Sequence, residues 1–280
     1  MAENKPLILI ANDDGIQAPG VHRLVDYLAD MGEIVCLCPD SPRSGGSMAL
    51  TVQGALRVKE LPDYNGAKMY STNGTPTDCV KLAWHTVLRD RKPDLVVSGI
   101  NHGSNAAINV LYSGTMGAAQ EGCAFGVPSV GFSLTNHSHS ADFSACRVFV
   151  RAIVAGMLKN GLPEGICLNV NIPDCQPGPT RMHLVRECKG NWSDEYVEYA
   201  DPSGKPFYML AGKFENAEPE ATDTDEYVLH HGGVSIVPIM LDRTAPLAGL
   251  GAPSEGNEQE LAERFAWLRR LCEQTYTHES

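Results

Sequence analysis

The sequence has no apolar run of about 18 residues, the length that a membrane-spanning helix needs. Its N-terminal residues, MAENKPL, contain no basic segment followed by a long apolar stretch, so no secretory signal is visible. Lysine and arginine are scarce: they total 22 against 34 aspartates and glutamates, and the net charge of −12 argues against a nucleic-acid surface. We therefore expect a cytoplasmic protein that binds neither membrane nor nucleic acid.

Several sequence signatures are also missing. The nine cysteines include no CxxC pair, and several stand inside apolar runs such as IVCLC. Cys36 and Cys38 would point to the same face of one strand, which is a poor geometry for a disulfide. We expect buried, reduced thiols rather than a disulfide framework or a zinc site. Neither the Walker phosphate loop nor the GxGxxG dinucleotide fingerprint is present.

Apolar runs and amphipathic segments alternate along the first half of the chain. Residues 7–11 have the composition of a buried strand, and the next segment has the periodicity of a helix that starts near Pro19. A later helix is predicted to begin at Thr75, the N-cap, with Asp78 at the capping-box position. This alternation predicts an α/β fold with a doubly wound, mostly parallel sheet.

Residues 176–280 have a different hydrophobic pattern, because their apolar runs are short and widely spaced. They are predicted to contain a hairpin around 202–204, a strand in GGVSIVPI and an amphipathic helix over 258–275. We interpret residues 176–280 as a hairpin, strand and helix appendage that makes subunit contacts, and residues 1–175 as the core. The acidic run DTDE at 223–226 is expected to be a solvated loop.

Polar residues follow three of the predicted strands. Asp13 and Asp14 follow the first, Ser44 lies beyond the second, and Asn101 lies beyond the strand in DLVVS. In an open α/β sheet the carboxyl ends of the strands form the ligand-binding edge, so these side chains should converge. Their oxygens suit one divalent cation, Mg²⁺ or Mn²⁺, which would also relieve the repulsion between the two acids. The alternative is a solvated turn in which one acid caps the following helix.

A second signal is the segment YSGT at 112–115. Ser113, Gly114 and Thr115 stand at the start of a predicted Ala- and Gly-rich helix, whose first N–H groups and dipole can hold an anion. Ordinary N-capping by Ser113 or Thr115 is the competing interpretation. Among the histidines, only His102, next to Asn101, is placed at the proposed edge.

The chain carries five linked motifs: ILIANDDGIQAPGVHRL, CPDSPRSGGSMALT, STNGTPTDCVKLA, DLVVSGINHGSN and LYSGTMGAAQEG. In order and approximate spacing they resemble the SurE family of stationary-phase survival proteins. The resemblance implies a Rossmann-like core and a C-terminal region that exchanges elements between subunits, giving homodimers or homotetramers. It also implies metal-dependent hydrolysis of nucleoside 5′- and 3′-monophosphates, with some members trimming short polyphosphate.

The same resemblance implies roles for individual residues. The implied ligands of one divalent metal per subunit are Asp13, Asp14, Ser44 and Asn101. The implied phosphate-binding residues are Asn105, Ser113, Gly114 and Thr115. Beyond the resemblance, we expect Asp13 and Asp14 to be the catalytic acids, with Asp13 orienting or deprotonating a water, while an aspartyl-phosphate intermediate stays open. One departure is Asn109, where many relatives carry an acid, and it bears on substrate preference more than on activity.

Other classes of protein share parts of this pattern. A response-regulator receiver binds Mg²⁺ at an acid pair after its first strand, but it needs a phosphoacceptor aspartate where DLVVS leads to Ser98 and Asn101. A dinucleotide-dependent oxidoreductase would share the sheet but needs glycines where Asp13 and Asp14 stand. A non-hydrolytic nucleotide-binding or partner-binding protein is the remaining alternative.

Overall fold

The computed structural model describes residues 5–138, 140–176 and 178–244. The strands are β1 Leu7–Ala11, β2 Glu33–Pro39, β3 Val58–Tyr64, β4 Ala67–Thr72, β5 Leu95–His102, β6 Ser129–Leu134, β7 Ile166–Ile172, β8 Met182–Leu184, β9 Gly190–Ser193, β10 Tyr196–Ala200, β11 Pro206–Leu210, β12 Lys213–Asn216 and β13 Val234–Met240. The helices are α1 Pro19–Leu28, α2 Pro76–His85, α3 Gly114–Ala124, α4 Cys146–Asn160 and α5 Asp225–His230, with a 3-10 helix at Ala107–Leu111.

Nine of these strands form one sheet, in the order β3-β4-β2-β1-β5-β6-β7-β13-β8. From β4 to β7 all neighbours are parallel, and β1 has β2 on one side and β5 on the other. Side chains alternate across β1: Ile8 and Ile10 join the apolar cluster that includes α1 and α4. Leu7 and Leu9 join the opposite cluster, which includes α2 and α3. The predicted α/β, Rossmann-like, doubly wound fold is therefore confirmed.

The helix starts follow the local sequence. Pro19 occupies the start of α1, and Thr75 caps α2 as predicted. The Thr75 hydroxyl accepts the Asp78 N–H at 3.1 Å, and the Asp78 carboxylate accepts the Thr75 N–H at 2.9 Å. Such caps stabilise a helix by about 1 kcal/mol. In the described part of the chain, no helix combines the length and apolar composition that crossing a membrane requires.

Residues on both sides of the predicted boundary at 175 share the main sheet. β13 pairs antiparallel with β7 and parallel with β8, and Leu241 is the last residue of the compact unit that contains the sheet. The boundary itself stays a prediction. In the following unit, the Thr244 N–H donates to the Asp242 carboxylate at 2.9 Å. The helix predicted over 258–275 lies outside the described residues.

Two expectations for the C-terminal part have clear outcomes. The hairpin is confirmed, because β10 and β11 pair antiparallel on either side of 202–204. The solvated loop at 223–226 is wrong: Thr224 caps α5, and Asp225 is fully buried. The Asp225 carboxylate accepts the N–H groups of Ala107 at 2.8 Å and Cys188 at 2.9 Å, so the acid links separate segments instead of facing solvent.

Most of the described cysteines pack in apolar surroundings. The buried ones are Cys36, Cys38, Cys79, Cys123, Cys146, Cys167 and Cys188. Burial raises the pKa of the Cys36 thiol, and burial likewise raises the pKa of Cys146 to about 12. The prediction of buried thiols is confirmed for these residues.

Candidate metal and phosphate site

The two adjacent acids lie where the sheet order reverses. Ala11 at the end of β1 pairs with Ser98 of the parallel strand β5, so the residues that follow each strand meet at one edge. The two chain connections leave these strands in opposite directions across the sheet. In open α/β sheets this reversal point is where ligands bind. Asp13 and Asp14, which follow β1, therefore lie at the same edge of the sheet as Asn101 near the end of β5.

A tight turn shapes the acid pair. The Asn12 side chain accepts the Gly15 N–H and donates to the Gly15 carbonyl, both at 3.2 Å. Gly15 has a φ of +98°, which favours glycine because it has no Cβ. Asn12 thus closes a turn around Asp13 and Asp14 and fixes their backbone. The sequence interpretation overlooked Asn12, although an asparagine three residues before a glycine is a recognisable turn signal.

Asp13 lies against the start of α3. The Thr115 hydroxyl donates to Asp13 Oδ1 at 2.5 Å. A Cβ on Gly114 would stand only 3.0 Å from Asp13 Oδ2, so glycine permits the close approach. Asp13 is 4% exposed, and burial raises its pKa from 3.8 to about 6, with the Thr115 hydrogen bond opposing the rise and Asp14 adding to it. A divalent cation here would offset both the burial and the like charge.

Asp14 is held from the other strand. Its Oδ2 accepts the His102 N–H at 3.2 Å and stands 3.1 Å from His102 Nδ1. The His102 ring also packs edge-on against Phe143, with ring centroids 5.0 Å apart. His102, which the sequence placed at this edge, therefore orients the second carboxylate.

The remaining predicted metal ligands stand nearby on separate segments. The Asn101 side chain donates through Nδ2 to the Gly103 carbonyl at 2.9 Å. Ser44 is exposed, and its neighbour Arg43 donates its N–H to the Asp13 carbonyl at 2.7 Å. Ser44 is thus tethered to the acid turn through the backbone.

The predicted phosphate-binding residues divide into two groups. Ser113 caps α3, because its hydroxyl accepts the Met116 N–H at 3.0 Å, while Thr115 points its hydroxyl at Asp13. Both are buried at the helix start beside the acids. Capping and anion binding are compatible here, since the cap satisfies one N–H and the positive end of the helix remains directed at the acid turn.

Asn105 belongs to a buried polar network with residues of β6 and β7. Its Nδ2 donates to the Ser133 hydroxyl at 2.8 Å, and its N–H donates to Asn171 Oδ1 at 2.7 Å. Its carbonyl accepts from Asn169 Nδ2 at 2.8 Å. The network fixes the segment that leads from β5 towards α3, and Asn169 and Asn171, which come from β7, were not singled out in the sequence.

The donors present suit a hard divalent cation. Two carboxylates, a hydroxyl and an amide oxygen form an all-oxygen set, which Mg²⁺ and Mn²⁺ favour. Within the described ranges, no group of three or more His, Cys, Asp or Glu side chains is arranged as a metal site.

Comparison with known proteins decides the family. A family model described as Survival protein SurE matches residues 8–194. The 5′-nucleotidase SurE of Phocaeicola vulgatus is 45% identical over 245 residues, which cover 88% of this chain and 95% of the relative. The 5′-nucleotidase SurE of Bacteroides fragilis is 47% identical, with the same coverage of both chains. This chain belongs to the SurE family.

A solved structure extends the SurE assignment to the fold. The crystal structure of the SurE protein from Aquifex aeolicus superposes with a TM-score of 0.76 at 33% identity, covering 94% of this chain and all of the other. The sequence resemblance is thus confirmed along most of the chain. The receiver and oxidoreductase alternatives gain no support from these SurE relatives.

Proposed function

We propose that the chain is a 5′-nucleotidase that hydrolyses nucleoside 5′-monophosphates, and also 3′-monophosphates, with one divalent metal ion, Mg²⁺ or Mn²⁺. The names of its SurE relatives support the substrate class. The observation that carries the chemistry is the contact between the start of α3 and Asp13, made by Gly114 and Thr115. It brings an anion-attracting helix end against a carboxylate pair, the arrangement that metal-assisted phosphate transfer requires.

The proposed metal ligands are Asp13, Asp14, Ser44 and Asn101. Such an ion supplies positive charge against the phosphate oxygens and lowers the pKa of a bound water. The backbone and ring nitrogens of His102 hold Asp14 in place. The Thr115 hydroxyl holds Asp13. Because Thr115 fixes Oδ1, we assign Asp13 to orienting the attacking water.

Phosphate binding is assigned to Asn105, Ser113, Gly114 and Thr115. The positive end of α3 offsets the charge that develops on the transferring group. Asn105 contributes by holding the segment ahead of α3, since its own polar atoms engage β6 and β7. Cleavage of short polyphosphate would use the same helix end and is included in the proposal.

A substitution of Asp14 tests this function. Asp14→Asn keeps the shape of the side chain and removes one of two charges, so phosphate release from nucleoside monophosphates should be lost while the melting temperature stays close to that of the wild type. Asp90→Asn, at an exposed position, is the matched control and should keep full activity. Near-normal turnover of Asp14→Asn with added Mg²⁺ or Mn²⁺ would rule the proposal out.

A substrate panel tests the metal and the phosphoester class. Phosphate release is measured from 5′- and 3′-nucleoside monophosphates and tripolyphosphate, with and without EDTA. We expect release from the monophosphates that EDTA abolishes and Mg²⁺ or Mn²⁺ restores. Failure to release phosphate from every substrate would favour the nucleotide-binding alternative.

We also propose that the chain forms homodimers or homotetramers through the β10–β11 hairpin. Both strands are exposed along their whole length, and they pair with each other in a separate two-stranded sheet. Their exposed apolar side chains are Tyr196, Val197, Tyr199, Phe207, Tyr208, Met209 and Leu210. An isolated hairpin is at best marginally stable in water, and a large exposed apolar patch marks an interface. A second copy that exchanges this element would cover it.

The cytoplasmic location remains part of the same proposal. Seven of the described cysteines are buried thiols, which a reducing compartment maintains.

A further inference from the structure

The turn that leads into α3 is held from outside itself. We use the name entry turn for residues 107–112, which comprise the 3-10 helix and Tyr112. Its first residue, Ala107, has a φ of +49°, an unfavourable conformation for a residue with a Cβ. Its internal bonds are short-range, such as the Tyr112 N–H to the Asn109 carbonyl at 3.0 Å. A turn of this kind depends on its surroundings for a defined shape.

Three partners from distant segments hold the entry turn. Asp225 accepts the Ala107 N–H at its start. At its end, the Ser47 hydroxyl donates to the Leu111 carbonyl at 2.6 Å, and the Ser47 N–H donates to the Tyr112 carbonyl at 3.0 Å. In the middle, the Trp192 indole N–H donates to Asn109 Oδ1 at 2.8 Å. Of these four hydrogen bonds, only the last joins two side chains, so substitutions can probe it without altering the backbone.

Trp192 is itself well supported. It lies in β9 opposite Phe214 of β12, and the two rings pack edge-on with centroids 6.2 Å apart. Trp192 is 36% exposed, so one part of it packs against the small β9–β12 sheet and the other part faces solvent. Asn109 stands four residues before Ser113, the cap of α3. The indole therefore connects this small sheet to the segment that delivers the start of α3.

We propose that Trp192 and Asn109 are positioning residues for the phosphate-binding end of α3. The inference rests on the proposed function, because it assigns to this pair the placement of Ser113 and Gly114 against the acid turn. Neither side chain touches the reacting atoms. Loss of their hydrogen bond leaves the middle of the entry turn without this polar anchor, while Asp225 and Ser47 still hold its two ends. Phosphate is then held less well, and the catalytic acids stay where Thr115 and His102 fix them.

The matching prediction is a split between binding and turnover. Net loss of one hydrogen bond corresponds to about a 2- to 10-fold change in an equilibrium constant. Trp192→Phe, which keeps an aromatic ring, and Asn109→Ala should each raise KM for a nucleoside monophosphate by about this factor, with kcat within about twofold of the wild type. The double variant should be no worse than the poorer single variant, because both changes remove the same contact.

Asn109→Asp distinguishes the effect of losing the hydrogen bond to Trp192 from the effect of adding a negative charge at this position. A carboxylate still accepts the indole N–H, but it adds a negative charge near the phosphate site. Its KM increase should therefore disappear near 1 M salt, where the screening length is about 3 Å, whereas that of Asn109→Ala should persist. Trp84→Phe is the matched control. Trp84 lies on α2 and stacks on Phe125 with ring centroids 4.5 Å apart, so this substitution should leave KM and kcat unchanged.

A binding measurement keeps the test independent of turnover. The dissociation constant of inorganic phosphate for the Mn²⁺-loaded protein, measured by calorimetry, should rise in Trp192→Phe and Asn109→Ala by the same factor as KM. If the wild type binds phosphate but releases none from any substrate, the proposed function fails and the calorimetry still decides this inference. Three outcomes would each overturn the inference. The losses could be additive in the double variant, or Trp192→Phe and Asn109→Ala could have the same KM and dissociation constant as Trp84→Phe. The third outcome is that the wild type binds no phosphate.

Discussion

The contact between Gly114 and Asp13 predicts a sharp effect of one added methyl group. In Gly114→Ala, the new Cβ would stand 2.8 Å from Asp13 Cβ, 3.0 Å from its Oδ2 and 3.0 Å from Pro76 Cγ. Carbon atoms pack at about 3.5–4.0 Å, so the start of α3 or the acid turn must move by roughly half an ångström to one ångström. The movement occurs at the carboxylate that we assign to the attacking water.

Stability and activity should respond differently to this substitution. Alanine in place of glycine stabilises a helix by about 0.4–1 kcal/mol through the unfolded chain, and overpacking costs about 1–3 kcal/mol. The unfolding free energy should therefore fall by only about 0–2.5 kcal/mol. Misplacement of a reacting group by about 1 Å costs about 100-fold in rate, so we expect kcat/KM to fall by about 10- to 100-fold.

The assay compares phosphate release with urea unfolding in Gly114→Ala and in Gly156→Ala. Gly156 lies inside α4, and a Cβ there would meet nothing within 4 Å. This control should gain about 0.4–1 kcal/mol of unfolding free energy and keep its activity. If Gly114→Ala retains the kcat/KM of the wild type, the close approach of α3 to Asp13 is not needed for catalysis.

Three further predictions follow from single contacts. Thr115→Val removes the hydroxyl that orients Asp13 and should lower kcat/KM, whereas Thr115→Ser should retain most of it; equal activities would contradict that role. Burial raises the pKa of Asp225, so the folded state binds its proton more tightly than the unfolded chain, and the unfolding free energy should fall as pH rises through the raised pKa. Asp225→Asn should flatten that part of a urea-unfolding pH profile, and an unchanged slope would assign it to another group. Leu210→Asp, at an exposed apolar position in β11, should shift the protein to monomers in light scattering, and an unaltered mass would exclude the hairpin as the interface.

Short-range signals made the central fold predictable. The capping pair Thr75 and Asp78 lies within one helical turn, and the continuous apolar run of β1 spans five positions. Interactions of this kind involve residues close together in the sequence, so they can be predicted without knowing how the rest of the chain folds. Once strands and helices alternate, the right-handed connection of parallel strands restricts the topology strongly.

The same reasoning failed where burial came from distant segments. The DTDE run has the composition of a solvated loop, yet Asp225 is buried because Ala107 and Cys188 bring their N–H groups to it from 118 and 37 residues away. The strand in GGVSIVPI was predicted correctly as β13, but its position between β7 and β8 in the main sheet was not part of the prediction. Composition reports the average environment of a residue type and not its partners.

By itself, the sequence determined the residue types of the site and the edge of the sheet where Asp13 and Asp14 stand, because strand ends follow from local periodicity. Only the tertiary structure decided that Gly114 packs against Asp13, and that Trp192 bonds to Asn109 across 83 residues. Those contacts depend on how whole elements pack, and a hydrogen bond or a clash is decided over a few tenths of an ångström. The periodicity of the sequence does not specify interatomic distances between residues that are far apart along the chain.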